Sequence, residues 1–313
     1  MLRLIGRRVA ATVPVILIVA TVVFLLLRLS PGDPAAILAG DNATPEIVAS
    51  LRADLGLDRP LPLQYLIWLE EMGRGNFGTS ILSKQPVMTM IRDRLEPTLV
   101  LGLCAILVTV VIAVPLGAVA AWKRGTWVDR VVMAFSVVGF SVPAFVVGYL
   151  FILGFSIWAN VLPVQGYVSP FVDLPEALLH LVLPSLTLAT VFVALIARIT
   201  RSSVLEVLGE DFIRTARAKG NSEKRLLWRH ALPNAAVPIV TVIGLGIALL
   251  ISGVVVTESV FNIPGIGRLT IDAILARDYP VVQGLILFFS FIYVGINLLI
   301  DIAYVIVDPR IRY

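Results

Sequence analysis

An all-α polytopic membrane protein with six transmembrane helices is the fold class this sequence predicts. Hydrophobic residues make up 58% of its 313 positions, charged residues only 15%, and mean hydropathy is +0.94; a soluble domain carries about 25% charged residues. Six runs contain no Asp, Glu, Lys or Arg: Val9–Leu27, Pro97–Trp122, Val131–Ala159, Ala177–Ala197, Ala231–Thr257 and Tyr279–Ile300. Nearly all reach the roughly 20 apolar residues that cross a bilayer, and helices satisfy their backbone groups internally in lipid. Lys and Arg also gather in alternate connections between the runs, the pattern of a multi-pass chain.

The first run follows Arg3, Arg7 and Arg8, a basic segment that a signal peptide would share. It is longer than the roughly 7–15 residues of a signal core, and no small-residue cleavage site follows, so a retained anchor is expected. Residues 1–28 are therefore read as a cytoplasmic end and the first span. Residues 29–96 form a separate helical subdomain. Thr44 is an N-cap with Pro45 as first helical residue, and Val48, Leu51 and Leu55 make an apolar stripe before Gly56. A second helix is expected from Pro60 or Pro62, carrying Tyr65, Leu66, Trp68, Leu69 and Met72 to Gly73. The segment holds nine acids and six bases, which suits either a docking surface or a solvated cap.

Residues 97–313 form a core of five spans. The run Val131–Ala159 overshoots one crossing, and Trp158, Pro163, Gly166 and Pro170 place an exit into an outer loop. Orientation follows from the bases. Arg3, Arg7 and Arg8, then Lys123, Arg124 and Arg130, then Arg198 to Arg229, then Arg310 and Arg312 fall on one side, whereas the last outer loop offers only Arg268 and Arg277. Both termini and the 198–230 loop are expected in the cytoplasm, and residues 29–96 outside. Positive-inside sorting also accounts for the pI near 9.4 without a nucleic-acid partner. Cys104, alone of its type, excludes an intrachain disulfide and is expected to pack in the core.

The 198–230 loop and its continuation are the most informative stretch. Residues 210–234, EDFIRTARAKGNSEKRLLWRHALPN, carry seven basic residues counting His230, yet lie between apolar runs. Glu210 and Asp211 suit a helix N-terminus, Gly220-Asn221 a stop, and Ser222-Glu223 a second helix that ends at Pro233. Helical spacing puts Phe212, Ile213, Ala216 and Gly220 on one mostly small face flanked by Arg217 and Lys219. Such a face suits close approach by another backbone with acidic groups beside it; a solvated basic loop has the same composition.

The order of residues here resembles the EAA loop of membrane subunits of ATP-binding-cassette (ABC) importers. That pattern is E-A-A, three residues, glycine, nine residues, then I-x-L-P. Arg214-Thr215-Ala216 stand at E-A-A, Gly220 at the glycine, and His230-Ala231-Leu232-Pro233 at the close. Arg214 departs from the glutamate and His230 from the isoleucine, but R-T-A-R-A-K-G followed by R-H-A-L-x-N is similar to the dipeptide, oligopeptide, nickel and glutathione importer permeases. Further strings of that group follow in order. They include Leu29-Ser30-Pro31-Gly32-Asp33-Pro34, Gly75-Asn76-Phe77-Gly78, Ser141-Val142-Pro143-Ala144-Phe145 and Leu183-Pro184-Ser185. Val260 to Arg268 (VFNIPGIGR), Arg277-Asp278-Tyr279-Pro280 and the terminal Asp308 to Tyr313 (DPRIRY) complete them.

The resemblance implies a type I ABC importer permease in a bacterial inner membrane. It implies that Arg214, Thr215, Ala216, Arg217, Ala218, Lys219, Gly220, Leu232 and Pro233 couple to an ATPase. The partners it implies are a homologous second permease completing a heterodimeric pore, two ATPase subunits, an external solute-binding protein and membrane lipid, with a peptide-like substrate. No cofactor is expected in this chain, since ATP and Mg would be held by the ATPase subunits. The chain has no G-x-x-x-x-G-K-[ST] loop and no H-E-x-x-H, so a non-catalytic subunit is expected. A self-contained secondary transporter or channel is the alternative, though intramembrane carboxylates are scarce.

Remaining candidates are ionisable groups at span ends. Asp301 either pairs with Arg198 or Arg201 or is an interfacial residue. Glu258 either meets Arg268 at an external gate or is solvated. His180 and His230 are expected to be packed or interfacial rather than ligands, and no metal site is expected.

Overall fold

A computed structural model describes residues 2–29, 35–36, 44–54 and 56–307. Among them every named element is a helix; the one β feature is an isolated antiparallel bridge between Thr79 and Pro86. The helices are α1 (Leu2–Leu29), α2 (Pro45–Asp54), α3 (Leu61–Gly73), α4 (Val87–Trp122), α5 (Trp127–Ser141) and α6 (Ala144–Trp158). They continue with α7 (Leu174–Leu208), α8 (Asp211–Ala218), α9 (Glu223–Asn234), α10 (Ala236–Val260), α11 (Ile266–Leu275) and α12 (Tyr279–Val307).

Among the described residues three helices are long and apolar enough to cross a bilayer uninterrupted: α4, α7 and the Tyr279–Ile300 part of α12. Two expected spans are instead broken. The run Val131–Ala159 divides into α5 and α6, inclined at 107° across Val142-Pro143. The reason is local. Pro143 has no amide to donate and pushes the residue before it out of the α region, and Val142 is extended at φ −87°, ψ 126°. The run from Ala231 likewise loses its first residues to α9, which meets α10 at 63° beside Ala235. An apolar stretch, Thr12–Leu25, lies within α1.

The chain divides into two compact units. One comprises residues 1–95 with 269–294, the other 96–268 with 295–313. In the first, Phe24 of α1 is buried and its ring meets Tyr65 and Trp68 of α3 at 5.2 and 5.6 Å. Thr21 Oγ1 and the Tyr65 hydroxyl share a 2.6 Å hydrogen bond. Both small helices start where the proline signals put them, α2 at Pro45 and α3 at Leu61 after Pro60. Asp278, buried at 4% exposure, accepts from Ser80 Oγ at 2.5 Å and from the Ile81 amide at 3.1 Å, fixing the 79–86 turn to the start of α12.

In the second unit α7 is central. Its most apolar window is 61% buried, against 22% for that of α4. Leu181, Leu183, Leu188, Phe192, Val193 and Ile196 of α7 share a core with Leu101 and Ala105 of α4, and with Val242, Leu250 and Val254 of α10. Leu99, Leu103, Leu107 and Val111 of α4, four residues apart, remain more than half exposed, the arrangement of a helix with one face on protein and one available to lipid. Cys104 is half-buried against this core.

Candidate coupling segment and loop gate

The α8–α9 segment begins where α7 stops at Leu208. Gly209 and Glu210 turn the chain, Glu210 is extended, and Asp211 lies in the first turn of α8, where negative charge suits the N-terminal dipole. Ile213 anchors the helix. It is wholly buried among Ala118, Ala121, Val204, Leu227, Ala231, Ala235 and Ile239. Full burial of one such side chain is worth about 1.5–3 kcal/mol.

This anchoring splits the face expected from helical spacing. Ile213 and Ala216 lie toward the protein, whereas Phe212 is 44% exposed, because adjacent positions differ by about 100° and only one can enter the cluster. The outward surface is therefore Phe212, Arg214, Thr215, Arg217, Ala218 and Lys219.

Its charges are arranged locally. Arg214 donates to Asp211 at 3.1 Å, Thr215 Oγ1 to the Asp211 carbonyl at 3.0 Å, and Arg217 to both carboxylate oxygens of Glu223 at 2.5 and 3.0 Å. The Arg217 guanidinium holds the Glu223 carboxyl below its ordinary range. Gly220 closes α8 in the left-handed region at φ +81°, and the Asn221 side chain caps the Ala216 carbonyl at 2.9 Å. Ser222 is extended before α9, whose stretch Leu226–Ala231 is π-helical ahead of Pro233. Leu232 is half-buried and Pro233 exposed. The second helix runs one residue past Pro233, to Asn234.

The loop after α10 is built around Glu258, which is 0% exposed. Its Oε1 accepts from Thr98 at 2.6 Å and its Oε2 from the Arg268 amide at 2.9 Å, while its backbone carbonyl accepts from Ile263 at 2.9 Å. Thr98 Oγ1 in turn accepts from the Ile266 amide at 2.8 Å. Glu258 is thus not solvated, and its meeting with Arg268 includes that residue's backbone. The Arg268 guanidinium bonds Asn262 Oδ1. Glycine is required here: a Cβ at Gly265 would fall 2.1 Å from Glu258 Oε1, and one at Gly267 2.5 Å from Val255 Cα. What the sequence called a loop contains α11.

Arg201 engages a residue the sequence did not single out. It donates to Asp129 Oδ1 and Oδ2 at 2.5 and 2.8 Å, and the Gly125 amide donates to Oδ2 at 2.9 Å. The carboxylate is 7% and the guanidinium 21% exposed. An acid beside a cluster of bases at a span end was the available signal. The Asp301 side chain lies outside the described residues, and so does its expected pairing with Arg198 or Arg201; Arg198 is exposed. His180 Nδ1 lies 3.0 Å from the Glu176 carbonyl, and His230 is half-buried. Tyr167, in the loop before α7, donates to Glu96 at 2.9 Å; burial first, then that carboxylate, push its hydroxyl pKa up. Among the described residues no group of three His, Cys, Asp or Glu could hold a metal ion.

Two family models match. The one described as binding-protein-dependent transport system inner membrane component covers residues 113–313, and its N-terminal counterpart covers residues 1–102. A probable peptide ABC transporter permease of Sinorhizobium fredii is 51% identical over 307 residues, 98% of each chain. A putative peptide transport permease of Brucella abortus is 48% identical over 314 residues, and a glutathione transport permease of Salmonella choleraesuis 42% over 313, each covering 100% of both chains. The inward-facing MetNI methionine ABC transporter has a chain that superposes with TM-score 0.59 at 17% identity, covering 71% of this chain and 97% of that one; this supports a shared fold.

Proposed function

The chain belongs to the family of binding-protein-dependent transport system inner-membrane components and is an ABC importer permease subunit; from that premise we propose that it forms half of an ATP-driven translocation pathway for di- or oligopeptides. A related permease supplies the other half, two ATPase subunits supply energy, and an external solute-binding protein delivers cargo. Peptide is favoured because the similar permeases are named for peptide and for glutathione, itself a peptide. Both termini and α8–α9 lie on the ATP-containing side in this reading, following the distribution of bases.

One observation carries the coupling role. Ile213 roots α8 in the protein core while Arg214, Thr215, Arg217, Ala218 and Lys219 stay exposed. A short helix rooted in this way can transmit a push from a partner to α7 and α10, which share its cluster through Val204 and Ile239. Reconstitution in liposomes tests the assignment. Uptake of a labelled peptide should need the sister permease, the ATPases, ATP and loaded binding protein together. Proton-driven uptake by this chain alone would overturn it.

A further inference from the structure

The turn between α4 and α5 is framed by tryptophans. Trp122 is the last residue of α4 and Trp127 the first of α5, both are exposed, and the residues between them include exposed Lys123 and Arg124. Arg130, in the first turn of α5, is exposed as well. Tryptophan collects at the headgroup level of a bilayer, where its ring meets an apolar layer and its N–H a wet one. An apolar stripe leads up to that level: Trp127, Val131, Phe135 and Val138 recur at helical spacing on α5, and all are exposed. The three cations therefore stand at the depth of lipid phosphates.

No acid on the turn offsets them. Among the described residues no carboxylate forms an ion pair with Lys123, Arg124 or Arg130. Asp129, the one acid in residues 123–130, is turned inward, with both oxygens bonded to Arg201 of α7 and one also to the Gly125 amide; Arg124 acts on it only through space. The same contacts order the backbone. Gly125 is left-handed at φ +78°, Thr126 Oγ1 donates to the Lys123 carbonyl at 2.7 Å, and Lys123 Nζ lies 5.9 Å from the centre of the Trp122 ring.

We infer that the α4–α5 turn is a binding site for an anionic phospholipid, whose phosphate is met by Lys123, Arg124 and Arg130 and whose acyl chain runs along Trp127, Val131 and Phe135. An acidic protein surface would match the cations but leave the two tryptophans and the stripe without a role; a lipid with a charged head and an apolar tail matches all three. The site requires only that α4 and α5 cross the bilayer, whatever the cargo.

The test uses the complete permease–ATPase complex in phosphatidylcholine nanodiscs containing a photoactivatable phosphatidylglycerol, with a diazirine high on one acyl chain. Illumination should label residues 122–135, and the same probe with a choline headgroup should label them far less at equal mole fraction. Lys123→Gln, Arg124→Gln and Arg130→Gln should each raise the phosphatidylglycerol fraction needed for half-maximal labelling about fivefold, the contribution of one base at an anionic surface. Lys224→Gln, which removes an exposed cation from α9, should leave it unchanged. Equal labelling by the two headgroups, labelling only elsewhere in the chain, or unaltered labelling in whichever of the three variants assemble would overturn the site. Carbodiimide crosslinking of Lys123 to an ATPase carboxylate would overturn it in favour of a protein contact.

Discussion

Two connections between apolar helices use charge in opposite ways. In α8–α9 the ion pairs Arg214–Asp211 and Arg217–Glu223 are on the surface, and the deep anchors are apolar: Ile213 of α8 and Leu226 and Leu227 of α9. In the loop after α10 the carboxylate itself is the anchor: Glu258 is fully buried and organises Thr98 and the Arg268 amide around it. Exposed pairs contribute little to stability and are cheaply exchanged for contacts with a partner. A buried acceptor satisfied by several donors resists removal, because each donor would be left unmet. The first connection is thus built to be touched and the second to hold its shape.

The sharpest way to break this contrast is to crowd or empty the buried loop. Gly267→Leu should largely abolish recovery of folded complex, because its Cβ would press on the Val255 backbone; Glu258→Ala should destabilise by about 3 kcal/mol, the summed cost of the donors it strands. Glu258→Gln, which keeps an acceptor, should recover part of that loss. Thermal unfolding of the purified complex measures all three, and equal midpoints for the alanine and glutamine variants would contradict the anchoring role.

Next in size is Asp129→Asn. Leaving Arg201 partly buried without its carboxylate should cost roughly 3 kcal/mol. The Arg201→Leu, Asp129→Leu double variant should be less destabilised than the single one, which a double-mutant cycle would show.

Gly220→Trp should cost only about 1 kcal/mol in stability, for a left-handed residue, yet abolish ATP-driven uptake by holding a partner off α8. Gly220→Asn, which tolerates that backbone, should transport normally. Full transport by the tryptophan variant in an assembled complex would remove the basis for coupling through α8.

The smallest effect on folding is expected from cysteine probes in a Cys104→Ser background. A cysteine at Ser50 should react with an impermeant maleimide in intact cells, and one at Ser222 only after permeabilisation. The reverse pattern would put α8 on the side without ATP.

Much of this was legible because it is written in neighbouring residues. Pro45 and Pro60-Leu61-Pro62 fix two helix starts, Gly220-Asn221 a stop, and the long apolar runs their helices. What was hidden depends on residues far apart or on helices that outlast their apolar part. Asp129 and Arg201 are separated by 72 positions. Helix α4 starts at Val87, ten residues before the apolar run, because Arg92, Asp93, Arg94 and Glu96 do not interrupt a helix even though they interrupt hydropathy. The division between Phe212 and Ile213 was invisible for another reason: periodicity gives a face, but only the partner cluster decides where its edge falls.

The central place of α7 has a consequence for biogenesis. Its best window is less hydrophobic than that of α4, with mean hydropathy 2.2 against 2.9, and it buries Ser185, Thr187, Thr200 and Ser203. A segment like α4 gains enough from lipid to leave the insertion machinery alone. Helix α7 gains less from lipid and more from packing, so its stable release into the bilayer depends on α4 and α5, already synthesised, and is completed only when α10 emerges to cover the side they leave open.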